Sequence, residues 1–457
     1  MVGPTGAGDR SPAPPSAVAA GIDAGGNSLT KRIASPPLAV AGLFLLLVLW
    51  ALIHSSTRHE ARAHGVGPAY AGIVTINDRP GAPAGVIDYS RLDRRLQALI
   101  LRPDMIGLAV GIVENGQIRF LKGYGETVAG SGDPVTANTI FRWGSLSKGA
   151  AGDMVALLAN EGRLSLSDPA GKYAASLKLP SGNENRATVA DILSHRLGLY
   201  SHANDPKLES GVDPHILRAS LAQLHQICPP GTCWAYQNVA FDAASEIVEK
   251  LTGKSYEAEV RERMFLPLGM RTATLDRAAL FASPSWARPY VGSKHSRPVE
   301  VTDIYYRVPA AGGVNSSIKD LAIWLQAQMG LAPEVLPQAV LDAVQEARVS
   351  TPGELGRLRK FRERVRQTSY GLGWRIYDYA GHRVIAHRGG LKGYRSLIMF
   401  DPALKGGVVA LWNSSSNQPG GIEFEVMDML YHLPERDWLG VEGGDTPEQP
   451  EPEGSGG

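Results

Sequence analysis

Strand-like segments lie near both ends of this 457-residue chain, and a long helical region separates them. Residues 108–125, LAVGIVENGQIRFLKGYG, hold two β-rich runs around Asn115-Gly116, a strong signal for a two-residue hairpin. Further strand-like runs fall within 371–415. From about 145 to 330, helical patterns such as FDAASEIVEKLTG dominate. The arrangement predicts one antiparallel sheet with a helical lobe inserted between its strands.

Helical patterns also flank the strands on the outside. YSRLDRRLQALIL (89–101) precedes the first hairpin, and EFEVMDMLYHL (423–433) follows the last strand-like run. The predicted fold class is therefore α/β (α+β): an antiparallel sheet flanked by terminal helices, with an inserted, mainly helical lobe. The folded domain is expected at 86–439, with a functional site between its two lobes.

An uncharged apolar run extends from Ile33 to Ile53. About 20 apolar residues span a bilayer, and Lys31 and Arg32 precede the run, as expected for a cytoplasmic start. These features predict a transmembrane anchor at 33–54 with the body of the chain outside the cytosol. A cleaved signal peptide is the alternative, although the apolar run is long for a signal core.

The segments outside the anchor and the domain are poor in large apolar residues. Residues 1–32 are predicted to be a disordered cytoplasmic tail, 55–85 a stalk, and 440–457 a disordered acidic tail. The formal net charge of +1 gives no reason to expect a nucleic-acid partner.

The two cysteines, Cys228 and Cys233, flank a Pro-Pro-Gly turn in ICPPGTCW. If this region lies outside the cytosol, a small-loop disulfide is predicted. Two free thiols beside a turn are the alternative. The spacing matches neither a CxxC redox motif nor a zinc motif.

FRWGSLSKGAAGDMVALLANEG (141–162) is predicted to form a helix with Ser145 and Lys148 in its first turn. A serine hydroxyl is a weak nucleophile that needs a base beside it, and a lysine serves if burial and neighbouring charge lower its pKa. Backbone N–H groups at the helix start favour a developing oxyanion. The small residues after Lys148 would let neighbouring backbone approach closely.

Two later motifs strengthen this weak pattern. Tyr236-Gln237-Asn238 precedes an amphipathic helix, and His387-Arg388-Gly389 ends a β-rich run. With Ser145-x-x-Lys148, this set resembles the serine β-lactamase and penicillin-binding-protein superfamily, nearest to class C β-lactamases and their esterase and peptidase relatives. Segments such as TVADILSHRLGL and PAAGGVNSSIKDLAIWL extend the resemblance over roughly residues 90–433.

The resemblance implies three catalytic residues. Ser145 would attack a carbonyl and become acylated, while Lys148 would take or relay its proton. Tyr236, as a phenolate or through Lys148, would be the general base for acylation and for activating water. No cofactor and no metal are implied.

The resemblance also implies substrate-binding residues. Asn238 would hydrogen-bond the substrate amide or Lys148, and His387 would line the opposite wall near Tyr236. Gly389 belongs to the strand motif, and the N–H groups of Ser145 and Gly390 would form the oxyanion hole.

Arg388 departs from the family pattern, which has Thr or Ser at this position. In one interpretation its guanidinium binds a substrate anion, with Lys392 and Arg395 adding positive charge. In the other, Arg388 points away into a structural ion pair. The departure weakens the expectation of β-lactam hydrolysis.

Other motif-like patterns favour structural roles. TGKSY (252–256) lacks the first glycine of a P-loop, because position 248 is Val. His195 and His202 form no HExxH pair, and the His195 stretch is expected to be a structural turn under the site. No GxSxG elbow occurs, which argues against an α/β-hydrolase.

The sequence thus predicts a membrane-anchored serine hydrolase that forms an acyl-enzyme on Ser145. Its substrate would be a small molecule or peptide, expected to be anionic: a β-lactam, a D-amino-acid peptide or a small ester. A carboxylesterase and a non-catalytic cell-wall peptide binder are the alternatives. The expected location is the bacterial inner membrane, with one N-terminal helix in the lipid and the domain in the periplasm.

Overall fold

The structure is a computed structural model that describes residues 85–293 and 296–442. Its strands are β1 Gly107–Glu114, β2 Gln117–Gly125, β3 Ile140–Arg142, β4 Asn315–Ser317, β5 Val349–Ser350, β6 Val365–Tyr370, β7 Arg375–Tyr379, β8 His382–Leu391, β9 Tyr394–Asp401 and β10 Gly406–Trp412.

The α-helices of the described ranges are mostly short. They are α1 Tyr89–Ile100, α2 Ser147–Asn160, α3 Val189–Leu193, α4 Asp205–Glu209, α5 Pro214–Ser220, α6 Ala243–Thr252, α7 Tyr256–Val260, α8 Arg277–Ala282, α9 Pro309–Gly312, α10 Ile318–Gln328, α11 Gln338–Gln345, α12 Pro352–Arg357 and α13 Ile422–Leu430.

Eight strands form one antiparallel sheet in the order β2-β1-β10-β9-β8-β7-β6-β5. The N-terminal hairpin joins the C-terminal strands through β1 and β10, where Leu108 lies opposite Trp412. The β1–β2 turn holds Asn115 and Gly116 at φ of 52° and 73°, the left-handed conformation that such hairpins require. The predicted hairpin and fold class are confirmed.

The two faces of the sheet contact different helices because side chains alternate along each strand. Val408 and Ala410 on β10 pack into a core with helices α1 and α13. Val409 and Leu411 face the opposite way, into the core shared with α2 and α10. The terminal helices therefore cover one face of the sheet and the inserted lobe covers the other.

Several elements were absent from the sequence-based prediction. The lobe contains β4, which pairs with β3 in a two-stranded ribbon, and β5 and β6 extend the main sheet. Their short lengths and polar residues hide the strand periodicity. Helix α3 begins TVADILSHRLGL but ends at Leu193, because the chain turns at His195, where φ is 59°.

The predicted tail at 1–32, the anchor at 33–54, all but the last residue of the stalk at 55–85 and most of the acidic tail at 440–457 lie outside the described residues. None of the helices within 85–293 and 296–442 is long and apolar enough to cross a bilayer.

Cys228 and Cys233 form a disulfide, with Cα atoms 6.3 Å apart. The structure thus contains the small-loop bridge that the sequence predicted. It lies in the segment that leads to Tyr236, so it restricts the chain just before one of the predicted site residues.

Candidate active site

Ser145 lies in a single 3₁₀ turn, Gly144–Leu146, between β3 and the start of α2. The predicted helix therefore begins later than expected, at Ser147. Gly144 has φ of 55°, and a Cβ there would lie 2.9 Å from the amide nitrogen of Gly390. The close approach of β8 thus requires glycine directly before the serine.

Lys148 is fully buried and donates three hydrogen bonds. Its Nζ lies 3.3 Å from Ser145 Oγ, 2.7 Å from Asn238 Oδ1 and 2.9 Å from the carbonyl oxygen of Ala311. All three acceptors are uncharged. The predicted serine and lysine are therefore brought together, and Asn238 contacts the lysine.

The small residues after Lys148 allow the close approach that the sequence suggested. A Cβ at Gly149 would lie 2.7 Å from the Trp324 ring and 2.8 Å from the Trp374 ring. A Cβ at Gly152 would clash with the carbonyl oxygen of Leu372. A larger residue at either position would push α2 away from α10 or from the connection between β6 and β7.

Tyr236 lies beside Lys148, whose Nζ is 4.8 Å from the centre of the tyrosine ring. The ring packs 4.4 Å from the ring of His195 and 5.5 Å from that of His202. Only 7% of Tyr236 is exposed. The structure thus places the predicted general base next to the predicted lysine, within a largely aromatic wall.

Asp205 is a site residue that the sequence reasoning missed. Its Oδ2 accepts a hydrogen bond of 2.7 Å from Asn238 Nδ2 and lies 2.8 Å from His202 Nδ1. Since the Nδ2 of Asn238 is held by this carboxylate, its Oδ1 is directed at Lys148. The sequence places Asp205 three residues after His202 in SHAND (201–205), but no spacing rule links position 205 to 238.

His387 and Arg388 face opposite sides of β8. His387 is fully buried on the side of the helical lobe, where its Nε2 lies 3.0 Å from the Tyr370 hydroxyl. His387 was predicted to line the wall near Tyr236. The structure buries it completely and connects it to the Tyr236 segment through Tyr370 and His195.

Arg388 points towards the terminal helices. Its Nη2 lies 2.6 Å from the buried Oε1 of Glu423 and 2.8 Å from the carbonyl oxygen of Gly420. Of the two interpretations, these contacts support the structural ion pair. The anion-binding hypothesis for Arg388 is not supported, because a strand alternates its side chains and position 387 already faces the lobe.

Gly389 and Gly390 lie against the serine turn. A Cβ at Gly389 would be 3.0 Å from the amide nitrogen of Ser145 and would clash with the carbonyl oxygen of Trp143. The backbone of this strand is therefore next to the backbone of the nucleophile. Two amide groups at this junction, those of Ser145 and Gly390, are the predicted oxyanion donors.

Burial controls the ionisation of the two histidines near the site. Desolvation, with Lys148 and Arg375 as neighbouring positive charges, holds the pKa of both His195 and His387 well below the ordinary value. Both rings are therefore neutral at physiological pH. Within the described ranges no cluster of three or more His, Cys, Asp or Glu side chains could hold a metal ion.

The comparisons with known proteins agree with this geometry. The family model described as Beta-lactamase matches residues 92–427. "Unguisins hydrolase ungD'" of Aspergillus campestris is 29% identical over 341 residues, which cover 72% of this chain but only 61% of that relative. "Penicillin-binding protein 4" of Amycolatopsis lactamdurans is 28% identical over 334 residues, or 71% of this chain and 84% of the relative.

A solved structure shows the same fold. The octameric penicillin-binding protein homologue from Pyrococcus abyssi superposes with a TM-score of 0.68 at 24% identity, covering 76% of this chain and 78% of that one. The family model spans the sheet, the inserted lobe and every predicted site residue. This chain therefore belongs to the Beta-lactamase family of serine hydrolases.

Proposed function

We propose that this protein hydrolyses an amide or ester bond through an acyl-enzyme on Ser145. The hydrogen bond of 3.3 Å between Lys148 Nζ and Ser145 Oγ carries the proposal. Lys148 is fully buried, and its acceptors in the described ranges are uncharged, so its burial costs free energy. Such a group next to a partly accessible serine fits an activated nucleophile.

In the proposed acylation, Ser145 Oγ bonds to the substrate carbonyl carbon. Its proton passes to the base formed by Lys148 and Tyr236, through the Nζ that lies 3.3 Å from Ser145 Oγ. The carbonyl oxygen becomes negative and accepts hydrogen bonds from the amides of Ser145 and Gly390. The leaving amine or alcohol then departs with the proton.

Water completes the proposed cycle. It gives a proton to the same base and attacks the acyl carbon. The bond from that carbon to Ser145 Oγ breaks, the serine regains a proton, and the carboxylic acid is released. Asp205, by holding Asn238 against Lys148, would maintain the geometry through both steps.

We further propose an anionic substrate, since positive charge near the site lacks carboxylate partners. Arg395 lies opposite Gly390 in the sheet, and its described bonds run to the carbonyl oxygens of Leu391 and Tyr394. Arg142, three residues before Ser145, is only 5% exposed, and its guanidinium lies 4.2 Å from the centre of the Tyr306 ring, so it is not available to a substrate. We propose that Arg395 has the anion-binding role first considered for Arg388.

Within this class, an ester or a D-amino-acid peptide is favoured over a β-lactam. The position where relatives carry a hydroxyl is Arg388, and its guanidinium is engaged with Glu423.

Labelling of Ser145 tests the proposed function. The full chain is incubated with a fluorophosphonate and with a fluorescent penicillin, and the modified peptide is identified by mass spectrometry. We expect an adduct on Ser145 that is absent from Ser145→Ala. Turnover of a chromogenic cephalosporin is then compared with that of a short-chain nitrophenyl ester. No adduct with either probe would favour the non-catalytic binding function.

We also propose that the apolar run at 33–53 anchors the protein with its domain outside the cytosol. The Cys228–Cys233 disulfide supports this location, because disulfides persist in oxidising compartments. Membrane fractionation followed by protease treatment of intact spheroplasts tests the proposal. Recovery of the full-length chain in the soluble fraction would contradict it.

A further inference from the structure

Three fully buried side chains connect the two halves of the site, from elements far apart in sequence. Tyr370, at the end of β6, places its hydroxyl 3.2 Å from His195 Nε2 and 3.0 Å from His387 Nε2. His195 Nδ1 lies 3.2 Å from the backbone nitrogen of Gln237, and His387 Nδ1 lies 2.8 Å from the carbonyl oxygen of Arg388. We call this set the His–Tyr–His bridge.

The two ends of the bridge determine the direction of every hydrogen bond in it. The backbone N–H of Gln237 can only donate, so His195 Nδ1 accepts and its proton is on Nε2. That Nε2–H donates to the Tyr370 oxygen. The carbonyl of Arg388 can only accept, so His387 carries its proton on Nδ1 and its Nε2 accepts from the Tyr370 hydroxyl.

The ends of the bridge are next to the reacting groups. Gln237 lies between Tyr236 and Asn238, both of which adjoin Lys148. Arg388 directly precedes Gly389 and Gly390, whose backbone packs on the Ser145 turn. A change in the length of the bridge would therefore move the base and the oxyanion strand relative to each other.

We infer that His195, Tyr370 and His387 are positioning residues that hold the Tyr236 segment and the Gly389–Gly390 strand around Ser145, and that none of them transfers a proton. The inference rests on the proposed acyl-enzyme function. A proton relay would require each bond to reverse, but a backbone N–H at one end and a carbonyl at the other cannot exchange roles.

Burial and neighbouring positive charges keep both histidine rings of the bridge neutral, which preserves the directions of its hydrogen bonds. Lys148 and Arg375 are the positive charges near both rings, and His387 and His202 are further titratable neighbours of His195. Arg375 is paired with Glu354. Protonation of either ring would give it two donors, so one bond of the bridge would be lost and a positive charge added beside Lys148.

Substitution of Tyr370 tests the positioning role in the full chain. Tyr370→Phe removes only the hydroxyl, and we expect kcat for the nitrophenyl ester to fall about 10-fold with KM little changed, because the reacting groups lose their alignment. The limbs of the pH profile should keep their positions. Tyr256→Phe is the matched control, since its buried hydroxyl has no hydrogen-bond partner in the described structure. An unchanged kcat, or a shifted limb that indicates a relay, would overturn the inference.

If Tyr370→Phe fails to fold, NMR spectroscopy of the wild-type protein tests the hydrogen-bond directions of the bridge instead. Long-range ¹⁵N–¹H correlation spectra of the histidine-labelled protein report which ring nitrogen carries the proton. We expect His195 protonated on Nε2 and His387 on Nδ1, unchanged from pH 6 to 9. The opposite tautomer, or titration in this range, would exclude the bridge. Failure of the fluorophosphonate to label wild-type Ser145 would instead reject the proposed function, and it would not affect the tautomers measured for His195 and His387.

Discussion

Helices α2 and α13 lie on opposite faces of the sheet, and they differ in whether their buried charged side chains have ion-pair partners. On α2, Lys148 donates to uncharged acceptors, and Asp153 accepts from the neutral side chains of Trp324 and Gln328. On α13, each buried acid is matched by an arginine; the pairs are Glu423–Arg388, Glu425–Arg95 and Asp428–Arg364.

The difference separates structural from chemical uses of charge. In a buried ion pair each charge is compensated by its partner, and removing one partner destabilises the fold. An unpaired buried charge costs free energy, and such charges are concentrated at functional sites. On α13 the ion pairs connect the helix to α1, to the segment before β6 and to β8. On α2 the unpaired lysine lies one turn from the nucleophile.

The largest expected effect tests the unpaired lysine. Lys148→Met should lower kcat/KM by about 10²–10⁴-fold, because the serine loses the group that moves its proton. Its free energy of unfolding should stay within about 2 kcal/mol of wild type, since no opposite charge is left unpaired. Ester turnover and urea denaturation measure the two quantities.

Lys319→Met is the matched control for Lys148. Lys319 shares the Ser-x-x-Lys spacing with Ser316, but Ser316 Oγ is bonded to Trp143 Nε1 and to the carbonyl oxygen of Ser317. Turnover of the Lys319 variant should equal that of wild type. Equal losses in both variants would remove the distinction between the two lysines.

Breaking an ion pair on α13 should lower the stability of the protein without lowering its activity. Arg364 Nε lies 2.7 Å from Asp428 Oδ1, and both side chains are buried. Arg364→Gln should lower the free energy of unfolding by about 3–5 kcal/mol, because Asp428 is left without its cation. Activity per folded molecule should not change.

Urea denaturation and active-site titration distinguish stability from activity in the Arg364 variant. Arg362→Gln is the control, because Arg362 is exposed. A selective loss of activity in folded Arg364→Gln would show that α13 takes part in catalysis and would contradict the comparison.

The second unpaired charge of α2 predicts a pH dependence. Burial raises the pKa of Asp153 to about 7 from an ordinary value of 3.8. The unfolded chain loses this proton near pH 4 but the folded chain keeps it to about 7, so this residue's contribution to stability falls as pH rises between those values. Asp153→Asn should therefore be more stable than wild type by about 2–4 kcal/mol at pH 8.

At pH 4 the Asp153 variant and wild type should have similar stability, because the carboxyl is then neutral in the folded state. Thermal unfolding at both pH values measures the difference. The same stability difference at pH 4 and pH 8 would show that ionisation of Asp153 is not its cause.

The smallest effect is expected at Arg388. Its side chain is 37% exposed, and Arg388→Thr should cost about 1–2 kcal/mol of stability because Glu423 can take up a proton. Turnover of anionic and neutral esters should change equally, within about twofold. A selective loss on the anionic ester would restore the anion-binding role to Arg388.

Much of the fold was predictable because its signals are local. The Asn115-Gly116 turn, the terminal helices and the continuous apolar run of β10 are each visible within a few consecutive residues. The family resemblance rested on three short motifs and is confirmed. The short strands β4 and β5 escaped prediction, since two or three residues cannot show a period.

The sequence by itself determined that Ser145 and Lys148 meet, because residues three apart share a face of a helical turn. It also determined that His387 and Arg388 face opposite ways, because strand side chains alternate. Only the tertiary structure decided which of the two faces the lobe. It also joined Tyr370 to His195 across 175 positions and Lys148 to Asn238 across 90, because such contacts depend on how the sheet and the lobe pack.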